Sequence, residues 1–216
     1  MLKTIYAKIS FIFVLVLALS SLPLIPVSGF SSLGYTNEVD INPDLTLDEF
    51  TTEVANGVES QLVGVFAEEA FAYPIIQQPT NNPAFVSTEE GKVTQFATAS
   101  RYGSIGLIAH NTLAGADFSL LQVGDVITLV YGDGSARTYS VTQIKQFQAL
   151  SPTNPYSTFK DLADPSTTLS VSTVFTSVYA VKDRLVMQTC IAKNGVDSWG
   201  RLFVIAEPID LSTAQS

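Results

Sequence analysis

The sequence contains one cysteine, Cys190, and one histidine, His110. An internal disulfide is therefore excluded, and a zinc site built from these ligand types lacks the residues to close. No cysteine lies near the N-terminus, so there is no lipobox-type attachment point for a lipid. Basic residues are scarce as well: 11 Lys and Arg stand against 20 Asp and Glu, for a net charge of −9. A surface that acidic repels phosphates and argues against a nucleic-acid partner. Nothing in the sequence calls for a cofactor, although a calcium site assembled from carboxylates stays open. Neither an internal repeat nor a low-complexity tract is present.

What the chain does have, at its start, is a long apolar run. Lys3 and Lys8 precede residues 9–24, which are interrupted only by Ser10, Ser20, Ser21 and Pro23. This is the basic-then-apolar pattern of an export signal, with small residues near Gly29 for cleavage. The run is also nearly long enough to remain in the bilayer as an anchor. Both outcomes stay open for residues 1–29, and either one exports the rest of the chain. The expected location is the outer face of the membrane or the medium, and the membrane is a partner only if the segment is retained.

Residues 30–45 are rich in Ser, Asn, Asp and Pro and read as a linker. Thr46 and Glu49 then fit a capping box, and Leu47, Phe50, Val54, Val58, Leu62 and Val65 recur at spacings of three and four. These predict one amphipathic helix over about 46–70, either packed on the domain or acting as a lid. Residues 73–83, with their Pro, Gln and Asn, read as a second linker, so that the domain spans 84–210. Within it, short runs at 93–97, 106–109, 125–131, 138–144, 169–174, 178–181, 185–189 and 202–206 read as strands. Residues 132–135, Gly-Asp-Gly-Ser, predict a tight hairpin turn. Many short strands with little helix imply an all-β barrel or sandwich. Residues 149–165 carry several Pro-containing turns and read as one long loop.

The chemistry-bearing residues lie at strand ends. Cys190 closes the run Leu185-Val186-Met187-Gln188-Thr189-Cys190; a connection of about ten residues follows, and Arg201 opens the next strand. A free thiol in an exported chain is either a buried, inert hydrophobe or a reactive group. As a nucleophile it needs a base, which His110 can supply, and its attack on an amide creates an oxyanion that needs a positive donor. If the two strands pair antiparallel, Cys190 and Arg201 meet across the ladder and point to the same face. Taken singly, each of the three has an ordinary structural explanation; together they read as a site.

Four segments resemble one family. Gly106-Leu107-Ile108-Ala109-His110-Asn111 is similar to the histidine-bearing strand end of sortases, the exported cysteine transpeptidases of bacteria. Leu120-Leu121-Gln122-Val123-Gly124-Asp125-Val126-Ile127 resembles the segment that follows it there. Met187-Gln188-Thr189-Cys190 resembles the family's Thr-Cys motif, and Gly200-Arg201-Leu202-Phe203-Val204 the strand with its arginine. The resemblance covers residues 84–208. It implies a closed eight-stranded β-barrel with short helices, in which Cys190 is the nucleophile, His110 the acid/base and Arg201 the oxyanion and signal binder. Thr189 would line the site, and residues 149–165 would take the place of a specificity loop. The implied partners are exported proteins carrying an LPXTG-like sorting signal and an amine of a cell-wall precursor or another surface protein. The segment 46–70 has no counterpart in that pattern. Two other functions use the same residues: a non-catalytic peptide-binding barrel, and a thiol hydrolase that transfers only to water.

Overall fold

The computed structural model describes residues 45–209; the export segment expected at 1–29 lies outside the described residues. Ten strands form one sheet: β1 (Leu62–Ala67), β2 (Phe71–Gln77), β3 (Val93–Gln95), β4 (Ile105–Ile108), β5 (Val126–Tyr131), β6 (Ala136–Ala149), β7 (Phe159–Asp161), β8 (Thr168–Leu169), β9 (Leu185–Lys193) and β10 (Val196–Pro208). The pairing order is β10-β9-β4-β3-β2-β1-β5-β6, and β6 returns to pair with β10. That closes an eight-stranded barrel, as the sequence resemblance implied. β7 and β8 continue from the far end of β6, outside the ring. Closure hides backbone N–H and C=O groups that an open sheet would present at its edges.

The barrel interior takes alternate residues from each strand, among them Leu107, Leu129, Tyr139, Leu185, Met187, Leu202 and Val204. The opposite parity on β4, β9 and β10 (Ile108, Val186, Phe203 and Ile205) forms a second apolar layer outside the ring. This layer is covered by α2 (Ala97–Ser100) through Ala99 and by α3 (Val171–Tyr179) through Val174, Phe175, Val178 and Tyr179. On the other wall, α1 (Leu47–Val54) buries Phe50 against Val63 and Val130.

Several sequence expectations change here. The capping box is present, with Thr46 and Glu49 reciprocally bonded, but the helix ends at Val54 and not near residue 70. Its apparent continuation, Leu62, Val63 and Val65, is strand β1, buried on both faces by α1 and by the barrel core. A strand covered on both sides is apolar throughout, and a helical period can be picked out of it. Residues 73–83 are not a linker throughout, because β2 runs through Pro74. The proline is accommodated where pairing with β1 stops, at Pro74 opposite Gly64, and pairing with β3 starts, at Ile75 opposite Val93. The barrel therefore begins at β1, before residue 84. The runs expected as strands at 169–174 and 178–181 are largely α3, capped by Ser170, whose side chain accepts from the Thr173 N–H. Burial of one apolar face outweighs the β-propensity of its Val and Thr residues. The hairpin at 132–135 is as expected, joining β5 to β6.

Phe50 is the residue through which α1 is buried. Phe50→Ala is expected to cost about 3 kcal/mol in chemical denaturation and to expose α1 to limited proteolysis. A loss under about 1 kcal/mol would show that α1 is not docked on the barrel.

Candidate functional site

Strand β9 runs between β4, to which it is parallel, and β10, to which it is antiparallel. In the antiparallel ladder Arg201 stands directly opposite Cys190, in the register expected from the sequence. Directly paired residues have Cα atoms about 5 Å apart and side chains on the same face. In the parallel ladder Ile108 is level with Gln188, and the Ala109 N–H still donates to the Gln188 carbonyl at 3.3 Å. The chain leaves β4 at Ile108, level with Gln188, and His110 follows two residues later, at the end of the sheet where Cys190 lies two residues past Gln188 on β9. Parity adds the second coordinate. Val186 and Phe203 face outward, and alternation along β9 and β10 puts Cys190 and Arg201 on that same outward face, with His110 just past the end of β4.

Thr189 falls on the other parity. It is buried in the barrel interior, and its Oγ1 donates to the Ala109 carbonyl at 3.0 Å. It does not line the outward face beside the thiol; it fastens β9 to the end of β4 just before His110. A 3-10 segment, Ala114–Leu120, packs behind this bond. The Gly115 N–H donates to the His110 carbonyl at 3.0 Å, and a Cβ at Gly115 would lie 2.4 Å from Thr189 Oγ1 and 2.7 Å from the Ala109 and His110 oxygens. Only a residue without a side chain fits there.

Each of the three groups is shifted by burial. Burial pushes the Cys190 thiol above its ordinary range; Arg201 opposes that, and the Asp197 charge adds to it. Burial pulls the His110 imidazole down, against a smaller opposing effect from a hydrogen bond to the Val86 backbone. Arg201 is 5% exposed, and burial pulls its guanidinium down, with Cys190 opposing. The resting site is therefore a protonated thiol, a neutral imidazole and a buried cation. Arg201 takes part in neither of the ion pairs found among the described residues, Arg137–Asp183 and Arg184–Glu207. Its Nη1 donates to the Ser198 and Gly200 carbonyls at 2.9 and 2.7 Å. A guanidinium has five N–H donors, and no partner of the other three is found among the described residues.

The connection between Cys190 and Arg201 differs from the expectation. It is not a ten-residue loop: β9 continues to Lys193, β10 starts at Val196, and Asn194-Gly195 turn the chain with φ of 53° and 76°. That is the two-residue Asn-Gly hairpin turn, a signal present in the sequence. The residues 149–165 are also more ordered than a loop, since β7 lies among them and Leu150 N–H donates to the Thr158 carbonyl at 2.9 Å. They do reach the site, because Ser198 Oγ donates to the Pro152 carbonyl at 3.4 Å.

Sequence reasoning missed three supports. Gln188, two residues before Cys190 and on its face, accepts from the buried Tyr179 hydroxyl at 2.8 Å. Asn111 Nδ2 donates to the Asp197 carbonyl at 3.1 Å, tying the chain after His110 to β10. The third is Asp197 itself, whose charge acts on Cys190. The period of two would have placed Gln188; the other two depend on tertiary approach and had no local signal.

No family model matches the chain, and no curated protein matches it. Solved structures do. Sortase C1 from Streptococcus suis is 16% identical over 74% of this chain and 78% of that one, with a TM-score of 0.48. Sortase A from Corynebacterium diphtheriae is 16% identical over 71% and 62%, at 0.47. For Streptococcus agalactiae sortase C1 in complex with MTSET the figures are 18%, 68% and 67%, at 0.45. These are likenesses of fold between distant sequences.

Cys190 alkylation reports the electrostatics directly. The pH profile of its reaction with iodoacetamide is expected to rise above the pH at which a free thiol ionises, because burial is the largest effect. Arg201→Met removes the one contribution that lowers the thiol pKa, so its profile moves to still higher pH. A profile unmoved by Arg201→Met would show that the guanidinium does not act on the sulfur.

Proposed function

We propose that this chain is a sortase-like cysteine transpeptidase acting at the outer face of the cell membrane or after secretion. It would cleave an LPXTG-like sorting signal after its threonine and pass the acyl group to an amine of a cell-wall precursor or another surface protein. What supports this reading is the pairing of Arg201 directly opposite Cys190, with His110 just past the end of the neighbouring strand β4. Three of the four sequence segments that resemble sortases contain these residues.

The chemistry follows from the resting protonation states. A neutral imidazole takes the Cys190 proton as sulfur attacks the scissile carbonyl carbon. The oxyanion that forms meets the remaining donors of the Arg201 guanidinium, in a partly buried setting where such a contact is worth far more than in water. His110 returns the proton to the departing amine, the C–N bond breaks, and the acyl group stays on sulfur as a thioester. An acceptor amine then attacks, the C–S bond breaks and the thiol is regenerated. Residues 149–165, tied to β10 through Ser198 and Pro152, are positioned to contribute to signal recognition.

Incubation with a library of sorting-signal peptides is expected to add an acyl mass to Cys190. Cys190→Ala abolishes the adduct, and Arg201→Met lowers kcat/KM by about 10²–10³-fold. The rate should be bell-shaped in pH, with both limbs belonging to the Cys190–His110 pair. Absence of both adduct and cleavage at every pH would overturn the assignment. Product analysis with and without an amine separates transfer from hydrolysis.

A further inference from the structure

The short turn at Asn194-Gly195 leaves β10 with more residues than β9 can match. The register passes from Val196 opposite Lys193 to Gly200 opposite Ile191. Asp197, Ser198 and Trp199 therefore stand against the single residue Ala192, as a bulge beside the site. The bulge is held at every residue. Asn111 Nδ2 bonds the Asp197 carbonyl, Arg201 Nη1 bonds the Ser198 carbonyl, and Lys193 Nζ sits 4.6 Å from the centre of the Trp199 ring. None of these contacts uses the Asp197 carboxylate. It is exposed and takes part in neither ion pair found among the described residues, and it belongs to a residue whose backbone is tied to Asn111, next to His110; its charge pushes the Cys190 thiol up.

A carboxylate in that position works against the first half of the reaction, since it disfavours the thiolate. It also makes no contact that would explain it as a support of the hairpin. The second half of the reaction brings in a reactant of opposite charge, a protonated amine, which water does not resemble. We propose that the Asp197 carboxylate is the docking point for the ammonium group of the acceptor, so that the bulge selects a cationic amine over water. This rests on the transpeptidase reading above. The docked ammonium gives one proton to His110 and attacks the thioester carbon. The C–N bond forms and the C–S bond breaks, leaving the amide, the Cys190 thiol with one proton and a second proton for solvent.

The test uses the exported chain with a sorting-signal peptide, and compares glycinamide, cationic at neutral pH, with hydroxylamine, which is uncharged there. The thioacyl adduct is weighed before any amine is added. In Asp197→Asn, the glycinamide concentration that diverts half of the acyl groups from water is expected to rise about fivefold. The corresponding hydroxylamine concentration should stay where the parent has it, and Asp197→Glu should recover most of the glycinamide effect. An Asp197→Asn variant that partitions glycinamide like the parent overturns the proposal. So does one that loses both nucleophiles equally, which would mark a structural role. A parent that forms no adduct sinks the transpeptidase reading and this proposal with it, and is recognised at the first weighing.

Discussion

Strand β9 is hydrogen-bonded along both edges, parallel to β4 and antiparallel to β10, and the candidate site depends on those two ladders. A hydrogen-bonded register is discrete: a slip by one residue would reverse which face each side chain takes. Once the apolar residues Leu185 and Met187 are committed to the barrel interior, Cys190 has no choice of side. The same holds for Arg201 through Leu202 and Val204. Both side chains are placed by the hydrophobic pattern of their strand neighbours.

Burial then sets the chemistry. Cys190 and His110 are both pushed toward their neutral forms, and Arg201 is kept in the sheet with backbone carbonyls in place of a carboxylate. A carboxylate partner would satisfy the guanidinium more fully, but it would also consume its charge. Carbonyl acceptors hold its orientation and leave the positive charge available to whatever approaches Cys190.

The site was more legible in the sequence than the path of the chain around it. Cys190 opposite Arg201 follows from two apolar strands and antiparallel geometry, and the lone histidine stands just past the end of another strand. Elements decided by tertiary packing were harder to read. β1 is apolar on both faces and imitated a helix, Pro74 hid β2 by sitting where its pairing changes partner, and the Val- and Thr-rich α3 is helical because Val174, Phe175, Val178 and Tyr179 share one buried face. The resemblance to the Thr-Cys motif implies that Thr189 lines the site, whereas the period of two sends it to the side opposite Cys190. The Asn194-Gly195 turn carries its own sequence signal, but strands bounded at Cys190 and Arg201 leave it inside a loop.

The closure of the barrel has a consequence for how a peptide could be recognised. β10 is paired on both sides at Arg201, with β9 and with β6, so it offers no free row of backbone donors and acceptors there. An extended chain arriving at Arg201 cannot add itself beside β10 as one more strand. It would meet β10 through side chains and the irregular backbone of the bulge, where each contact depends on a particular residue. Discrimination on this face is thus written in side chains, and a few substitutions could redirect it without disturbing the barrel beneath.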